Sequence, residues 1–117
     1  MASERIELTG STNGRGIDVA VIATPGTLIH TVPEGFMDEV TLFGNNREGV
    51  VARLLTIEFG GVAQGDLITR LITAAEELIT ITDELLLQGQ AGGTEIRAFA
   101  ATANIVSVHG FVTRTRI

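Results

Sequence analysis

The 117-residue chain contains no cysteine, tryptophan, tyrosine or lysine. Without cysteine it has no disulfide framework, no thiolate nucleophile and no cysteine-ligated zinc or iron–sulfur site. Five phenylalanines are its aromatic residues, so we do not expect the stacked aromatic platform of a base-binding protein. These absences exclude the usual supports of small secreted domains and the chemistry of cysteine-dependent enzymes.

Negative charge dominates the chain. Fourteen acidic residues outnumber eight basic ones, for a net charge of −6. A phosphate backbone or an anionic membrane surface would be repelled over most of such a domain, so we expect neither nucleic acid nor membrane as a partner. The basic residues are all arginine, whose planar and weakly hydrated guanidinium suits protein interfaces.

The sequence predicts no targeting or membrane segment. Charged residues stand at Glu4, Arg5 and Glu7 with no apolar core behind them, unlike a secretory signal. No stretch reaches the roughly 18 apolar residues of a membrane span. We therefore expect a protein that is made in the cytoplasm and leaves it only as part of a larger particle.

The length predicts one domain with a modest core. Surface scaling gives a folded monomer of this mass an accessible area of roughly 6,100 Å². Hydrophobic residues make up 44% of the chain, which is high for a small domain whose surface should be largely polar. Some apolar surface is therefore expected to be buried in an oligomer or against a partner.

Short β-branched segments between glycine-containing turns predict a series of strands. A charged arm over residues 4–8 precedes a glycine-rich turn over 10–16, in which Asn13-Gly14 is a strong tight-turn signal. The strands are predicted over residues 17–23, 27–32, 37–44, 50–59, 94–101 and 105–113.

Residues 66–87 are ambiguous, because leucines at helical spacing alternate with threonines that favour strands. The β-branched segments 67–69 and 80–82 favour two strands joined near Ala75 over a single helix. The whole pattern predicts an all-β fold: an antiparallel β-sandwich or jelly roll of about eight short strands, with a short helix within 66–87 as the alternative. We predict an N-terminal arm and glycine-rich turn over residues 1–16 and a single β domain over 17–117.

No set of residues has the spacing of a catalytic, cofactor or metal site. His30 and His109 fall in separate strands, and each is expected to bond within the fold or at a subunit contact. Ser107 and His109 would share a strand face, but a spacing of roughly 7 Å argues against a nucleophile and its base. Adjacent carboxylates would point to opposite faces and are expected at solvated positions; these pairs are Asp38/Glu39, Glu76/Glu77 and Asp83/Glu84. We predict no enzymatic activity, no cofactor and no metal.

Five segments taken together resemble small virion proteins of tailed bacteriophages, most closely the capsid decoration (cement) proteins. They are residues 26–30 (GTLIH), 38–42 (DEVTL), 55–61 (LTIEFGG), 97–104 (RAFAATAN) and 108–112 (VHGFV). The resemblance runs from about residue 26 to residue 113 and implies a compact β domain that forms a homotrimer. It also implies a structural role: binding the outer surface of a capsid and stabilising the contacts between major capsid protein subunits.

Under this interpretation the chain ends are the candidate partner-binding segments, because a terminal strand can pair with the edge of another subunit. The candidate residues are Glu4, Arg5, Ile6, Arg114 and Arg116. We expect removal of the first nine residues to weaken binding to the particle and to leave the β fold intact. Two alternatives stay open at the sequence level: a tail- or fibre-associated structural or binding module, and a small ligand-binding β barrel.

Overall fold

Two antiparallel sheets pack face to face in a computed structural model that describes residues 3–48, 50–74 and 77–117. Within those ranges the strands are β1 (Ser3–Glu7), β2 (Ile17–Asp18), β3 (Thr27–Val32), β4 (Phe36–Asn46), β5 (Arg53–Phe59), β6 (Leu67–Ile72), β7 (Ile79–Gln88), β8 (Thr94–Ala100) and β9 (Val106–Arg116). Sheet I has the order β1-β9-β4-β7, with β2 also paired to β9, and sheet II has the order β3-β8-β5-β6. The predicted antiparallel β-sandwich is confirmed.

The core lies between the two sheets and follows the alternation of side chains along each strand. Val40 and Leu42 of β4 face inward from sheet I, and Leu55 and Ile57 of β5 face inward from sheet II; all four are fully buried. The accessible area of the molecule is 6194 Å², close to the roughly 6,100 Å² that scaling gives for a compact monomer of this mass.

One side of the sandwich is closed by the chain itself. After β1 the segment 8–10 runs along β3, where Gly10 N–H donates to Ile29 O at 2.9 Å and Thr31 N–H donates to Thr9 Oγ1 at 2.7 Å. After β2 the segment 19–21 bridges both sheets, because Val19 N–H donates to Val106 O of sheet I and Val21 O accepts from Ala100 N–H of sheet II. These hydrogen bonds fasten the two segments to the sheets on that side, which we call the closed side.

The opposite side, formed by β6 and β7 and here called the open side, is joined through side chains. Ile72 of β6 and Ile81 of β7 meet over Gly44 of β4. A Cβ added at Gly44 would lie 2.8 Å from Ile72 Cδ1 and 3.2 Å from Ile81 Cδ1. Glycine at this position therefore allows the two edge strands to approach each other.

The strand predictions hold with shifts at several ends. Residues 27–32 form β3 as predicted, whereas the strand predicted over 17–23 stops at Asp18 because the chain then leaves the sheet to bridge the two layers. The segment 66–87 gives strands β6 and β7, as preferred, and the junction predicted near Ala75 lies outside the described residues. The helical structure found nearby in the described chain is a single 3-10 turn, Gln64–Asp66.

Candidate functional site

The five candidate partner-binding residues lie together where β1 pairs with β9. Glu4 is opposite Arg114 and Ile6 is opposite Val112 in the antiparallel register. In a single copy, both chain ends are therefore paired within the same sheet. A shallow cleft of about 230 Å³ lies beside them, lined by Ser3, Glu4, Phe36, Arg114 and Arg116.

The arginines of this region are held by aromatic rings and by a carboxylate. The guanidinium carbon of Arg116 lies 4.5 Å from the centroid of the Phe36 ring, and that of Arg5 lies 4.5 Å from the Phe111 ring. Arg114 donates from Nε and Nη2 to the two oxygens of Asp38, each at 2.9 Å. Arg116, at the end of β9, is exposed.

A buried polar network links the two sheets at the inner end of this region. Asp38 of β4 and His30 of β3 are both 0% exposed, and His30 Nε2 lies 2.6 Å from Asp38 Oδ2. His30 Nδ1 accepts the backbone N–H of Thr9 at 3.1 Å. Because Nδ1 is an acceptor, the ring is neutral and Nε2–H donates to Asp38.

The pKa directions agree with this proton assignment. Burial lowers the pKa of His30 and outweighs the opposing hydrogen bond to Asp38. Burial alone would raise the pKa of Asp38, but the hydrogen bonds from Arg114 and His30 together hold it below the usual value. A neutral histidine, an ionised aspartate and an arginine therefore form one charge-paired unit across the core.

The sequence interpretation of Asp38 was wrong, and that of His30 was correct. His30 bonds within the fold, as expected, but Asp38 is buried rather than solvated. The signal was present in the sequence, because Val40 and Leu42 face inward and Asp38 lies two residues before Val40 on the same face. The partner Arg114 lies 76 residues away, and only the pairing of β4 with β9 brings it there.

Ser107 and His109 are closer than the sequence argument allowed. Ser107 Oγ lies 3.0 Å from His109 Nε2, because the two side chains lean toward each other on the same face of β9. The expected separation of roughly 7 Å applied to the backbone. The His109 ring packs against Gly16, where an added Cβ would collide with it. In the described residues no carboxylate hydrogen bond orients the imidazole, so the pair lacks the third group of a nucleophile–base–orienter set.

Exposed leucines are concentrated on the open side. All six exposed leucines of the described ranges lie on or beside β6 and β7: Leu54, Leu67, Leu71, Leu78, Leu85 and Leu86. Leu54 and Leu71 are direct cross-strand partners and are 47% and 54% exposed. Each sheet also ends here in a strand paired on one side only. Unpaired backbone groups together with exposed leucines are the features of a surface that associates.

The two edges of the open side carry opposite charges. Arg70 is exposed on β6, whereas Asp83 and Glu84 are exposed on β7. Strand β7 is also bulged in its pairing with β4, and Glu84 adopts a positive φ of 56°. Strand β6, by contrast, pairs with β5 in continuous register. The regular β6 edge and the bulged β7 edge are thus different surfaces of complementary charge.

In residues 3–48, 50–74 and 77–117 no three histidine, aspartate or glutamate side chains are grouped so that they could hold a metal ion. None of the helical structure in those ranges is long and apolar enough to cross a membrane. Comparison of the sequence and the fold with known proteins matched no family model, no curated protein and no solved structure.

Proposed function

We propose that this protein is a structural virion protein of a tailed phage, which associates with itself as a homotrimer and binds the outer surface of the capsid. There it stabilises the contacts between major capsid protein subunits. The observation that carries the proposal is that the exposed leucines of the described chain lie on or beside two half-paired edge strands. The phage assignment and the number three rest on the resemblance of the five sequence segments.

A second copy of this chain is the partner that fits the open side best. An edge strand with exposed apolar side chains tends to pair with another chain. Arg70 on the β6 edge and the acidic Asp83 and Glu84 on the β7 edge favour contact of β6 in one copy with β7 in the next. Contacts between two different surfaces are heterologous, and they close into a ring when the rotation between copies permits it. A trimer is such a ring.

The β1–β9 region is then the surface that remains for the capsid. It presents Glu4, Arg5 and Arg116 on sheet I, which has its β7 edge on the open side and its β1 edge away from it. Arginines stacked on phenylalanine rings are ordered before binding, so less side-chain entropy is lost when a partner docks.

The test is the mass of the protein in solution, followed by binding to particles. Light scattering should give three times the 12.3 kDa chain mass for the wild type and a monomer for Leu54→Glu/Leu71→Glu. The matched control is Ile22→Glu, which makes the same change at a residue 62% exposed outside the open side, and it should remain a trimer. A wild-type monomer, or loss of the trimer in the control alone, would contradict self-association through the open side.

Co-sedimentation with undecorated capsids tests the second half of the proposal. Wild type should sediment with the particles, and Arg5→Glu/Arg116→Glu should stay in the supernatant while remaining a trimer. Labelling of intact virions distinguishes the head from the tail. Label confined to the tail would replace the capsid role with that of a tail-associated module.

A further inference from the structure

A second cleft, on the outer face of sheet II, contains a buried carboxylate with an unused oxygen. The cleft has a volume of about 600 Å³, within the roughly 300–1,000 Å³ typical of small-ligand sites. Glu58 of β5 lines it and is 2% exposed. Its Oε2 atom is buried and has no hydrogen-bond partner among the described residues.

The other oxygen of Glu58 and the neighbouring Arg97 are already occupied. Glu58 Oε1 accepts the N–H of Gly26 at 2.8 Å, and Arg97 Nη1 donates to the carbonyl of the same residue at 2.9 Å. Arg97 Nε donates to Glu95 Oε1 at 3.0 Å. Glu58 and Arg97 are cross-strand neighbours, but these bonds direct the guanidinium to Gly26 and Glu95. The N–H and the carbonyl of Gly26 are therefore both bonded. Glu58 Oε2 is the carboxylate oxygen that has no partner among the described residues.

The residues that line the cleft determine the charge of a ligand that could bind there. Its ionisable side chains are Glu58, Glu95 and Arg97, which sum to one excess negative charge. Its remaining wall is largely glycine from two loops, 60–61 and 92–93, so backbone groups are accessible to a ligand. No aromatic residue is among the lining residues in the described chain, which leaves hydrogen bonds rather than cation–π contacts to hold a cation.

We propose that this cleft binds an organic cation carrying N–H donors, a primary ammonium or a guanidinium group, which donates to Glu58 Oε2 and is balanced by the excess carboxylate charge. A buried ionised oxygen without a donor is costly, and a charged donor is its strongest partner. A quaternary ammonium has the same charge but no N–H, so it should not bind. The group could belong to a free small molecule or to an arginine or lysine side chain of another protein.

Titration of the ¹⁵N-labelled protein with methylguanidinium chloride, followed by amide chemical shifts, tests the proposal. The amides of Gly60, Gly61, Gly92 and Gly93 should shift in a saturable way, whereas tetramethylammonium chloride at equal concentration should shift them no more than sodium chloride does. This comparison uses wild-type protein and does not depend on the folding of any variant. Equal shifts with the three salts would overturn the proposal.

Variants then place the binding at Glu58. Glu58→Gln keeps an oxygen for Gly26 but removes the charge, and it should weaken methylguanidinium binding at least tenfold. Glu34→Gln makes the same change at an exposed turn residue and should bind as wild type does. Unchanged affinity in Glu58→Gln would exclude the assigned contact. The peptide acetyl-Gly-Arg-Gly-amide distinguishes the sources: binding at least tenfold tighter than methylguanidinium indicates a protein side chain, and equal binding indicates a free small cation.

Discussion

The buried His30 makes the stability of the fold depend on pH, because its pKa differs between the folded and unfolded chains. Its pKa is lowered in the folded protein, so the unfolded chain binds a proton that the folded chain does not. Stability is therefore fully present above about pH 6.5 and falls as the pH drops below that value, by at most about 1.4 kcal/mol per pH unit. The lowered pKa of Asp38 extends the loss below pH 3.8 in the same direction.

We predict that the free energy of unfolding of the wild type, measured with urea at about pH 7.5, 6 and 5, falls across this range, which includes the ordinary pKa of histidine. In His30→Gln the free energy of unfolding should change less steeply with pH. The variant is less stable throughout because its side chain cannot reproduce the imidazole contacts. The slope is the readout, so a lower absolute stability does not confuse the result. An unchanged slope would mean that the pKa of His30 is the same in the folded and unfolded chains.

Asp38 and Arg114 form the ion pair whose loss should cost most. Asp38→Asn leaves the guanidinium of Arg114, 15% exposed, without its counter-charge in the core. Breaking a buried pair by removing one partner costs about 3–5 kcal/mol. We predict a loss toward the lower end of that range, measured by denaturant unfolding at neutral pH. Glu39→Gln at the adjacent position, on the opposite strand face, is the control and should change stability by less than about 0.5 kcal/mol; an equal loss in both variants would contradict the assignment.

At the scale of elements, β1 and the segment that follows it contribute differently to the stability of the fold. The strand Ser3–Glu7 is an exposed edge, but Leu8 is 1% exposed in the core and Thr9 binds His30 and Thr31. We therefore revise the expectation that the first nine residues can be removed without harm to the fold. Deleting residues 1–6 should lower the unfolding free energy modestly, whereas deleting residues 1–9 should cost more by the 2–5 kcal/mol of a lost core leucine.

Circular dichroism and denaturant unfolding of the two truncated proteins check this difference. Equal stability of the two would show that Leu8 and Thr9 contribute little. For tests of particle binding, the shorter truncation is the appropriate protein, since it removes three of the candidate partner residues, Glu4, Arg5 and Ile6, and keeps the core residue.

At the scale of the whole molecule, the proposed ring makes a prediction about symmetry. Leu54→Glu/Leu71→Glu disables the β6 edge, and Leu85→Glu/Leu86→Glu disables the β7 edge. If β6 binds β7 of the next copy, neither variant assembles alone. The first variant retains the β7 edge and the second retains the β6 edge. A mixture should then form a capped dimer of two chains, seen by light scattering. Assembly of either variant by itself would show a contact between like edges and would exclude the ring.

The sequence predicts more of the fold than of the functional surfaces. Alternating side chains and glycine turns are local signals, and they predicted the sandwich and most of its strands. The pairing order was not predictable, because Asp38 meets Arg114 across 76 residues and Glu58 meets Gly26 across 32. Glu58 lies within the strand predicted over residues 50–59, and nothing in its neighbours in sequence indicates that a turn folds over it. The opposite charges of β6 and β7 become meaningful only when both strands are known to be edges on the same side.

The position of β9 determines when this protein can acquire its structure. Strand β9, Val106–Arg116, is bonded to β1, β2 and β4, so β1 and β2 pair with a strand that is distant from them in the sequence. The segment 19–21, which helps to close the sandwich, depends on β9 too, since Val19 N–H donates to Val106 O. Long-range pairing of this kind is slow compared with local folding. We expect β1 and β2 to stay unpaired in the nascent chain until β9 has been synthesised.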